Sequence, residues 1–160
     1  MARRKKTAIP LRKTGARRHS RPVIDLGALD GHLGYFVRRA QIWIFQDFIR
    51  KLAAIDVSPA QFSVLVVISA NSGLSQAELA ATLGIERARL VRMLHALEDR
   101  GLTQRSPSSA DGRRHELRLT REGQKILAQA KTLASQHEAA LQSRLGADNY
   151  KLLLDRLRNF

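Results

Sequence analysis

The sequence predicts a mainly α-helical fold of the α+β class, in which one β-hairpin lies between helices. Three observations support this. Capping-box patterns at residues 58–61 and 75–78 mark the starts of two helices. Apolar residues recur at steps of three and four on both sides of these starts. A short alternating stretch at residues 116–120 is typical of a half-buried strand.

The first predicted helix, residues 29–52, is apolar around most of its circumference. One apolar stripe has helical spacing; it consists of Leu33, Phe36, Val37, Ala40, Ile44, Phe48 and Leu52. Four further apolar residues lie off this stripe: Ile42, Trp43, Phe45 and Ile49. Such a helix needs apolar partners on two sides. A domain core and a second subunit would supply them; complete burial in a monomer core is the alternative.

Two short helices joined by a tight turn are predicted in the middle of the chain. They follow a helix over residues 59–70. The first of the two covers residues 76–83 and ends at Gly84, and the second covers residues 86–100 and ends at Gly101. Two short helices with a Gly-containing turn between them are typical of a helix-turn-helix.

A β-hairpin is predicted directly after this motif. Its strands are residues 102–106 and 113–119, joined by a polar turn. Thr120 then caps a helix that runs to about residue 145, and residues 148–160 form the last helix. A helix-turn-helix followed by a hairpin is a winged helix-turn-helix. In this fold the second helix of the motif enters the major groove of DNA.

Positive charge is concentrated at the start of the chain. The 160 residues include 28 Lys and Arg against 14 Asp and Glu, a formal net charge of +14. Nine of the basic residues and no acidic residue fall in residues 1–22, which we predict to be a disordered basic arm. The surplus indicates a polyanionic partner, nucleic acid or an anionic membrane surface. The arm either attracts phosphates without regard to sequence or is only a solvated extension.

Several other classes of protein are disfavoured. Without cysteine, neither a disulfide nor a thiolate metal site is possible. The five histidines lack metal-ligand spacing, so we expect no metal and no cofactor. No Gly-rich phosphate loop, GxSxG or HExxH motif is present, and we expect no enzymatic activity. The longest apolar run, residues 62–70, is far shorter than a membrane helix, and a cytoplasmic location is predicted.

The second helix of the helix-turn-helix is densely basic. We expect Arg87, Arg89 and Arg92 to contact DNA, the alternative being a solvated helix face. Ser75 and Gln76, at the start of the first helix of the motif, are added to the expected DNA contacts.

The hairpin carries two more arginines near its tip. Arg113 and Arg114 lie where a guanidinium can reach the minor groove, in which negative potential is concentrated. Asp111 would repel phosphate and is better explained as a brace that pairs with one of these arginines. Arg105 and Arg118 either brace the hairpin or contact phosphate.

Two segments of the sequence resemble the MarR family of bacterial transcriptional regulators. They are LGIERARLVRMLHALEDRGLTQR at residues 83–105 and DGRRHELRLTREG at residues 111–123. The family's hallmark is Asp-x-Arg followed by Leu-x-Leu-Thr-x-x-Gly. Six residues match it in register: Asp111, Arg113, Leu117, Leu119, Thr120 and Gly123. The order of helices is similar from about residue 29 to residue 160. Two positions depart from the family, since Glu86 and Arg89 stand where small hydroxyl residues are usual.

The resemblance implies a homodimer on double-stranded DNA with a pseudo-palindromic operator. It implies a single domain over residues 23–160. Residues 29–54 and 121–160 would form the dimerisation helices, and residues 58–120 the winged helix-turn-helix lobe that binds DNA. The usual function in this family is that of a repressor released by a small ligand.

The ligand pocket of the family lies between the long first helix, the second helix and the DNA-binding lobe. Six residues are candidates to line it, the alternative being dimer core or surface: Tyr35, Arg38, Arg39, Trp43, Phe48 and Phe62. The run GYFVRRAQIWIFQDF, residues 34–48, is similar to the branch of the family that responds to hydroxycinnamate-type aromatic acids or their CoA thioesters. Trp43 and Phe48 would hold a ring, and nearby arginines would hold phosphates or a carboxylate.

The sequence therefore predicts a ligand-responsive, sequence-specific DNA-binding regulator. The alternative is an architectural protein that binds nucleic acid without reading its sequence. A helical protein-interaction module is a third possibility. A repressor should prefer its site by about 10³ or more over random DNA, whereas an architectural protein should show little preference.

Overall fold

This computed structural model describes residues 24–71, 73–107 and 115–159. These residues form six α-helices and one pair of antiparallel strands. The elements are α1 (Leu33–Leu52), α2 (Pro59–Ala70), α3 (Gln76–Leu83), α4 (Arg87–Asp99), β1 (Thr103–Pro107), β2 (His115–Leu119), α5 (Arg121–Leu145) and α6 (Ala147–Arg158). Short 3-10 turns at Gly27–Gly31 and Ala53–Ile55 flank α1. The predicted α+β fold, a winged helix-turn-helix between terminal helices, is confirmed.

The first helix begins later than predicted. Residues 27–31 form a 3-10 turn, and α1 starts at Leu33 after an extended His32. Glycine at both ends of this turn weakens an α-helix there, and Gly27 has a φ of +55°. The Asp25 carboxylate accepts a hydrogen bond from the Gly27 amide at 2.9 Å. Apolar periodicity alone did not reveal this break.

Both predicted capping boxes are present. The Ser58 amide donates to the Gln61 side chain at 2.8 Å, and the Gln61 amide donates to the Ser58 hydroxyl at 3.2 Å. The same reciprocal pair joins Ser75 and Glu78. These bonds satisfy amides that a helix start leaves without partners, and they set the directions in which α2 and α3 begin.

The core lies under the helix-turn-helix and the hairpin. Its fully or almost fully buried side chains come from α2, α3, α4, the hairpin and the start of α5; they are Val64, Leu65, Ile68, Leu79, Ala80, Leu90, Leu94, Leu97, Leu102, Leu117 and Leu127. Full burial of one such Leu or Val contributes about 1.5–3 kcal/mol. The small lobe is therefore held together mainly by its leucines.

The hairpin is fixed to the helices on two sides. Thr103 pairs with Leu119 and Arg105 with Leu117, and the Leu117 amide also donates to the Leu74 carbonyl at 3.0 Å. Where α5 begins, the Thr120 amide donates to the Leu102 carbonyl at 3.1 Å. Gly123 packs so closely there that a Cβ would lie 1.9 Å from the Leu102 oxygen.

The terminal helices are largely uncovered. In the described chain Leu52 is the only buried residue of α1, and α6 buries none. Large apolar side chains that are more than about one third exposed are confined to α1, α6 and nearby segments; they are Ile24, Leu29, Leu33, Phe36, Val37, Ile42, Trp43, Phe45, Ile49, Leu145, Leu152, Leu153, Leu154 and Leu157. The alternative that α1 is buried in a monomer core is therefore wrong.

No single helix of the described ranges has the length and apolar character needed to cross a membrane. By those two criteria alone, one strongly bent pair passes together, Leu33–Ile55 with Pro59–Ala70, which meet at 71°.

Candidate DNA-binding surface and ligand pocket

The helix α4 separates its charges from its core side chains. Arg87, Arg89 and Arg92 are exposed, while Leu90 and Leu94 are buried. The Glu86 side chain caps the helix by accepting from the Ala88 amide at 3.2 Å. None of the three arginines forms an ion pair with a carboxylate in the part of the chain that the structure describes. Their guanidinium groups are therefore available to a polyanion.

The start of α3 borders this basic face. Gln76 and Arg87 line a shallow groove of about 170 Å³ together with Ala77, Leu90 and Val91. The Ser75 hydroxyl donates to Glu78 Oε2 at 2.6 Å and accepts from the Glu78 amide, so it is already engaged in the cap. The roles of Ser75 and Gln76 as DNA contacts stay predictions.

The hairpin is braced from its base. Arg105 Nε donates to Glu98 Oε1 at 2.7 Å, which ties β1 to α4. Arg118 pairs with the nearly buried Glu116 at 2.9 Å on β2. For both arginines this geometry favours bracing over phosphate contact. The predicted tip residues Asp111, Arg113 and Arg114 lie outside the described residues.

A second brace joins α4 to the connection between α1 and α2. Arg100, at the end of α4, donates to the backbone carbonyls of Asp56 at 2.5 Å and Ile55 at 3.3 Å. Asp56 has a left-handed backbone with a φ of +50°, and its carboxylate also lies 3.6 Å from Arg100. The basic helix is thus held directly to the helical region where a ligand was predicted.

The six predicted ligand residues do not come together; four of them form two separate pairs. The rings of Phe48 and Phe62 pack edge to face, with centroids 5.5 Å apart. Tyr35 instead lies beside Arg39, whose guanidinium is 5.7 Å from the ring centroid. Trp43 is covered by Arg144 at 4.6 Å.

Arg38 is exposed on the first half of α1. This protomer therefore does not form one pocket from the whole predicted set.

A cavity of about 550 Å³ that is widely open to solvent lies between α2 and α5, on the side of Phe62. Its lining is Phe62, Val66, Lys131, Ala134, Ser135, Glu138, Ala139 and Gln142. The volume is within the range of sites for small molecules. The apolar wall comes from α2 and the alanines of α5, whereas Lys131 and Glu138 supply one charge of each sign. Sequence reasoning missed the contribution of α5.

A buried polar pair lies next to the two phenylalanines. His137 Nδ1 is 2.8 Å from Asp47 Oδ2, and its ring stacks on Phe48 with centroids 5.0 Å apart. The hydrogen bond from His137 lowers the pKa of Asp47, against the opposing effect of partial burial; Arg50 and Lys51 lower it further. The pair joins α1, which carries Asp47, to α5, which carries His137. No cluster of three or more metal-ligating residues occurs in the described ranges.

Comparison with known proteins identifies the class of this molecule. Residues 55–114 match the MarR family model. A putative transcriptional regulatory protein for the hcr operon of Thauera aromatica is 34% identical over 120 residues, which cover 74% of this chain and 72% of that protein. The transcriptional repressor CouR bound to a 23-mer DNA duplex is 46% identical with a TM-score of 0.82, covering 86% of this chain and 98% of CouR.

The chain belongs to the MarR family. A second CouR structure, bound to p-coumaroyl-CoA, is 45% identical with a TM-score of 0.78 and covers 85% of this chain and 96% of CouR. The Thauera aromatica protein and CouR are both transcriptional regulators, which is a non-enzymatic role. The family resemblance inferred from residues 83–105 and 111–123 is confirmed, and this chain is a transcriptional regulator of the MarR type.

Proposed function

We propose that this protein is a homodimeric, sequence-specific repressor that leaves its operator when it binds an aromatic acyl-CoA. The observation that carries the proposal is the exposed arginine face of α4. It occurs in a chain whose relative CouR, 46% identical, was solved on a DNA duplex. A helix of this kind fits the major groove, and its arginines suit either base edges or phosphates.

The uncovered terminal helices support the dimer. The described chain leaves large apolar side chains exposed on both α1 and α6, and Leu33 and Leu157 are the most exposed of them on these two helices, at 76% and 63%. Exposed apolar side chains in this number are characteristic of a subunit interface. Interleaving α1 and α6 of two protomers would bury both faces and place two copies of α4 on one side.

The proposed DNA contacts fall into two groups. Arg87, Arg89 and Arg92, with Gln76 beside them, would occupy the major groove. Arg113 and Arg114 would enter the minor groove from the hairpin, with Asp111 holding one of them in place. The basic arm of residues 1–22 would add attraction to phosphates without sequence preference.

The proposed effector site is the cavity between α2 and α5. Phe62, backed by Phe48, offers an aromatic wall to a ring, and Lys131 offers a cation to an anionic group. CouR, 45% identical, was solved with p-coumaroyl-CoA. An acyl-CoA is too long for this cavity, so its nucleotide part has to lie outside, where Arg38 and Arg39 on α1 are candidates for its phosphates.

Ligand binding can weaken DNA binding only if the two conformations of the dimer bind the ligand differently. The contacts supply a physical connection. The cavity uses α5, whose start is bonded to the hairpin, and α2, whose preceding turn is bonded to Arg100 of α4. A change in the angle between α2 and α5 would therefore move α4 relative to the dimer axis.

Fluorescence anisotropy with a labelled duplex tests the proposal. The probes are a palindrome sought in the DNA immediately upstream of the gene and a shuffled duplex of the same composition. We expect the palindrome to bind at least about 10³ times more tightly, and p-coumaroyl-CoA to reverse this binding. Equal affinity for both duplexes would favour an architectural protein.

Two variants separate the folded surface from the arm. Arg92→Ala should lower operator affinity, whereas Lys125→Ala, which removes an exposed cation of α5 outside the proposed DNA surface, serves as the control. If Arg92→Ala binds like the wild type and deletion of residues 1–22 abolishes binding, the arm is the binding element and the proposal is wrong.

A further inference from the structure

The cavity between α2 and α5 contains a single carboxylate, that of Glu138, among its described lining residues. This carboxylate also accepts a hydrogen bond from the phenolic hydroxyl of Tyr150 at 2.5 Å. Tyr150 belongs to α6, and α6 turns back onto α5 at Gly146, which has a φ of +80°. One residue thus faces both the proposed effector site and the last helix.

The other polar groups of the lining are weaker acceptors for a phenol. Ser135 and Gln142 are neutral, and Lys131 can only donate. A hydrogen bond to an ionised carboxylate is roughly twice as strong as one between neutral groups. A phenolic hydroxyl that enters the cavity therefore finds its best acceptor at Glu138.

Tyr150 presents the same chemical group that a 4-hydroxycinnamoyl thioester carries, a hydroxyl para to the substituent of a benzene ring. Its hydroxyl is bonded to Glu138 while the side chain is only partly buried. The bond to Glu138 and, secondly, burial raise the pKa of Tyr150 above its ordinary value, so the phenol keeps its proton and remains the donor.

We propose that Glu138 is the specificity residue for a phenolic effector, and that Tyr150 is an internal phenol which the effector displaces from it. The proposal rests on the proposed function, since it assumes an aromatic acyl-CoA in this cavity. A thioester with a free para-hydroxyl replaces the Tyr150 bond with its own, whereas one without the hydroxyl leaves Glu138 bonded to Tyr150. Displacement also removes this side-chain bond between α6 and α5, which links effector chemistry to the dimerisation surface.

Titration calorimetry with p-coumaroyl-CoA and cinnamoyl-CoA tests this, because the two ligands differ only in the para-hydroxyl. The quantity measured is the ratio of their affinities within each variant, which cancels any general loss of folded protein. Glu138→Gln should abolish the preference for p-coumaroyl-CoA. Tyr150→Phe keeps the ring but removes the competing hydroxyl, and it should raise the preference by roughly fivefold.

Glu122→Gln is the matched control for Glu138→Gln, since Glu122 is exposed on the same helix and pairs only with Lys125 in the described chain. It should leave the ratio at the wild-type value. In the double variant, Tyr150→Phe should no longer change the ratio, because the group for which the two phenols compete is missing.

A wild-type ratio in either Glu138→Gln or Tyr150→Phe would overturn this inference while leaving the proposed effector class intact. Failure of both thioesters to bind the wild-type protein would instead overturn the proposed effector, and this inference with it.

Discussion

Replacement of Gly123 by alanine should displace the hairpin from α5. A Cβ at this position would lie 1.9 Å from the Leu102 carbonyl oxygen and 2.9 Å from its carbon. Both atoms are backbone, so no side-chain rotation can relieve the contact. The start of α5 and the start of β1 would have to separate by about 1.5 Å to reach an ordinary distance.

The cost follows from the bonds that cross this junction. The Thr120 hydroxyl donates to the Gly101 carbonyl at 2.6 Å, and the Thr120 amide donates to the Leu102 carbonyl at 3.1 Å. Loss or distortion of these bonds costs about 1 kcal/mol each, and overpacking adds about 1–3 kcal/mol. Alanine recovers up to about 1 kcal/mol as the better helix former. The net loss of stability is therefore about 2–4 kcal/mol.

Thermal unfolding followed by circular dichroism measures this effect. For a chain of this length the melting temperature should fall by roughly 5–15 °C, at a fixed protomer concentration. Gly34→Ala is the matched control, because Gly34 lies in α1 and a Cβ there would meet nothing within 4 Å in the described chain; this variant should be unchanged or slightly more stable. A melting temperature for Gly123→Ala within about 2 °C of the wild type would refute the close packing of α5 against β1.

Further predictions concern the dimer, the buried pair and the DNA surface. Leu157→Asp should weaken the dimer by roughly 100-fold or more, because it places a charge in an apolar interface; sedimentation of an unchanged dimer would contradict this. Asp47→Asn should lower the urea midpoint at pH 7. Since the pKa of Asp47 is lowered in the folded state, its contribution is present above 3.8 and is lost as the pH falls through the folded value. The difference in urea midpoint between the two proteins should therefore shrink as the pH is lowered below 3.8, and a constant difference would show that protonation of Asp47 is irrelevant. If Arg92 holds a phosphate, Arg92→Ala should reduce the slope of log affinity against log salt by about 1; an unchanged slope with lost specificity would assign it to a base.

The helix starts were predictable because their determinants are local. A capping box needs only residues three apart, and the structure contains both that were predicted, at Ser58 and Ser75. The exposure of the α4 arginines was equally predictable, because leucines at helical spacing determine which side of the helix is buried. The start of α1 was not predictable, because the 3-10 turn before it continues the same apolar pattern. In the sequence this turn differs from an α-helix mainly by its glycines.

The ligand pocket was only partly predictable, for a different physical reason. Phe62 and Phe48 were identified because large aromatic residues on neighbouring helices are candidates for a ligand site in any sequence. The α5 wall consists of small and polar residues, such as Ala134 and Ser135, whose spacing is equally typical of a solvated face. Which of these faces encloses a cavity depends on where α2 lies, and this depends on contacts between residues far apart in the chain.

Long-range polar contacts are the part of this molecule that periodicity cannot reveal, and its regulation depends on them in our proposal. The bond from Arg100 to the Asp56 carbonyl spans 44 residues, and that between His137 and Asp47 spans 90. Each joins an element of the ligand region to another helix through one or a few directional bonds, which a small rotation can lengthen past the range of a hydrogen bond. The leucine core of the lobe tolerates such rotations poorly, because it is close-packed. Movement on ligand binding should therefore concentrate at these polar junctions and carry α4 as a rigid body with its lobe.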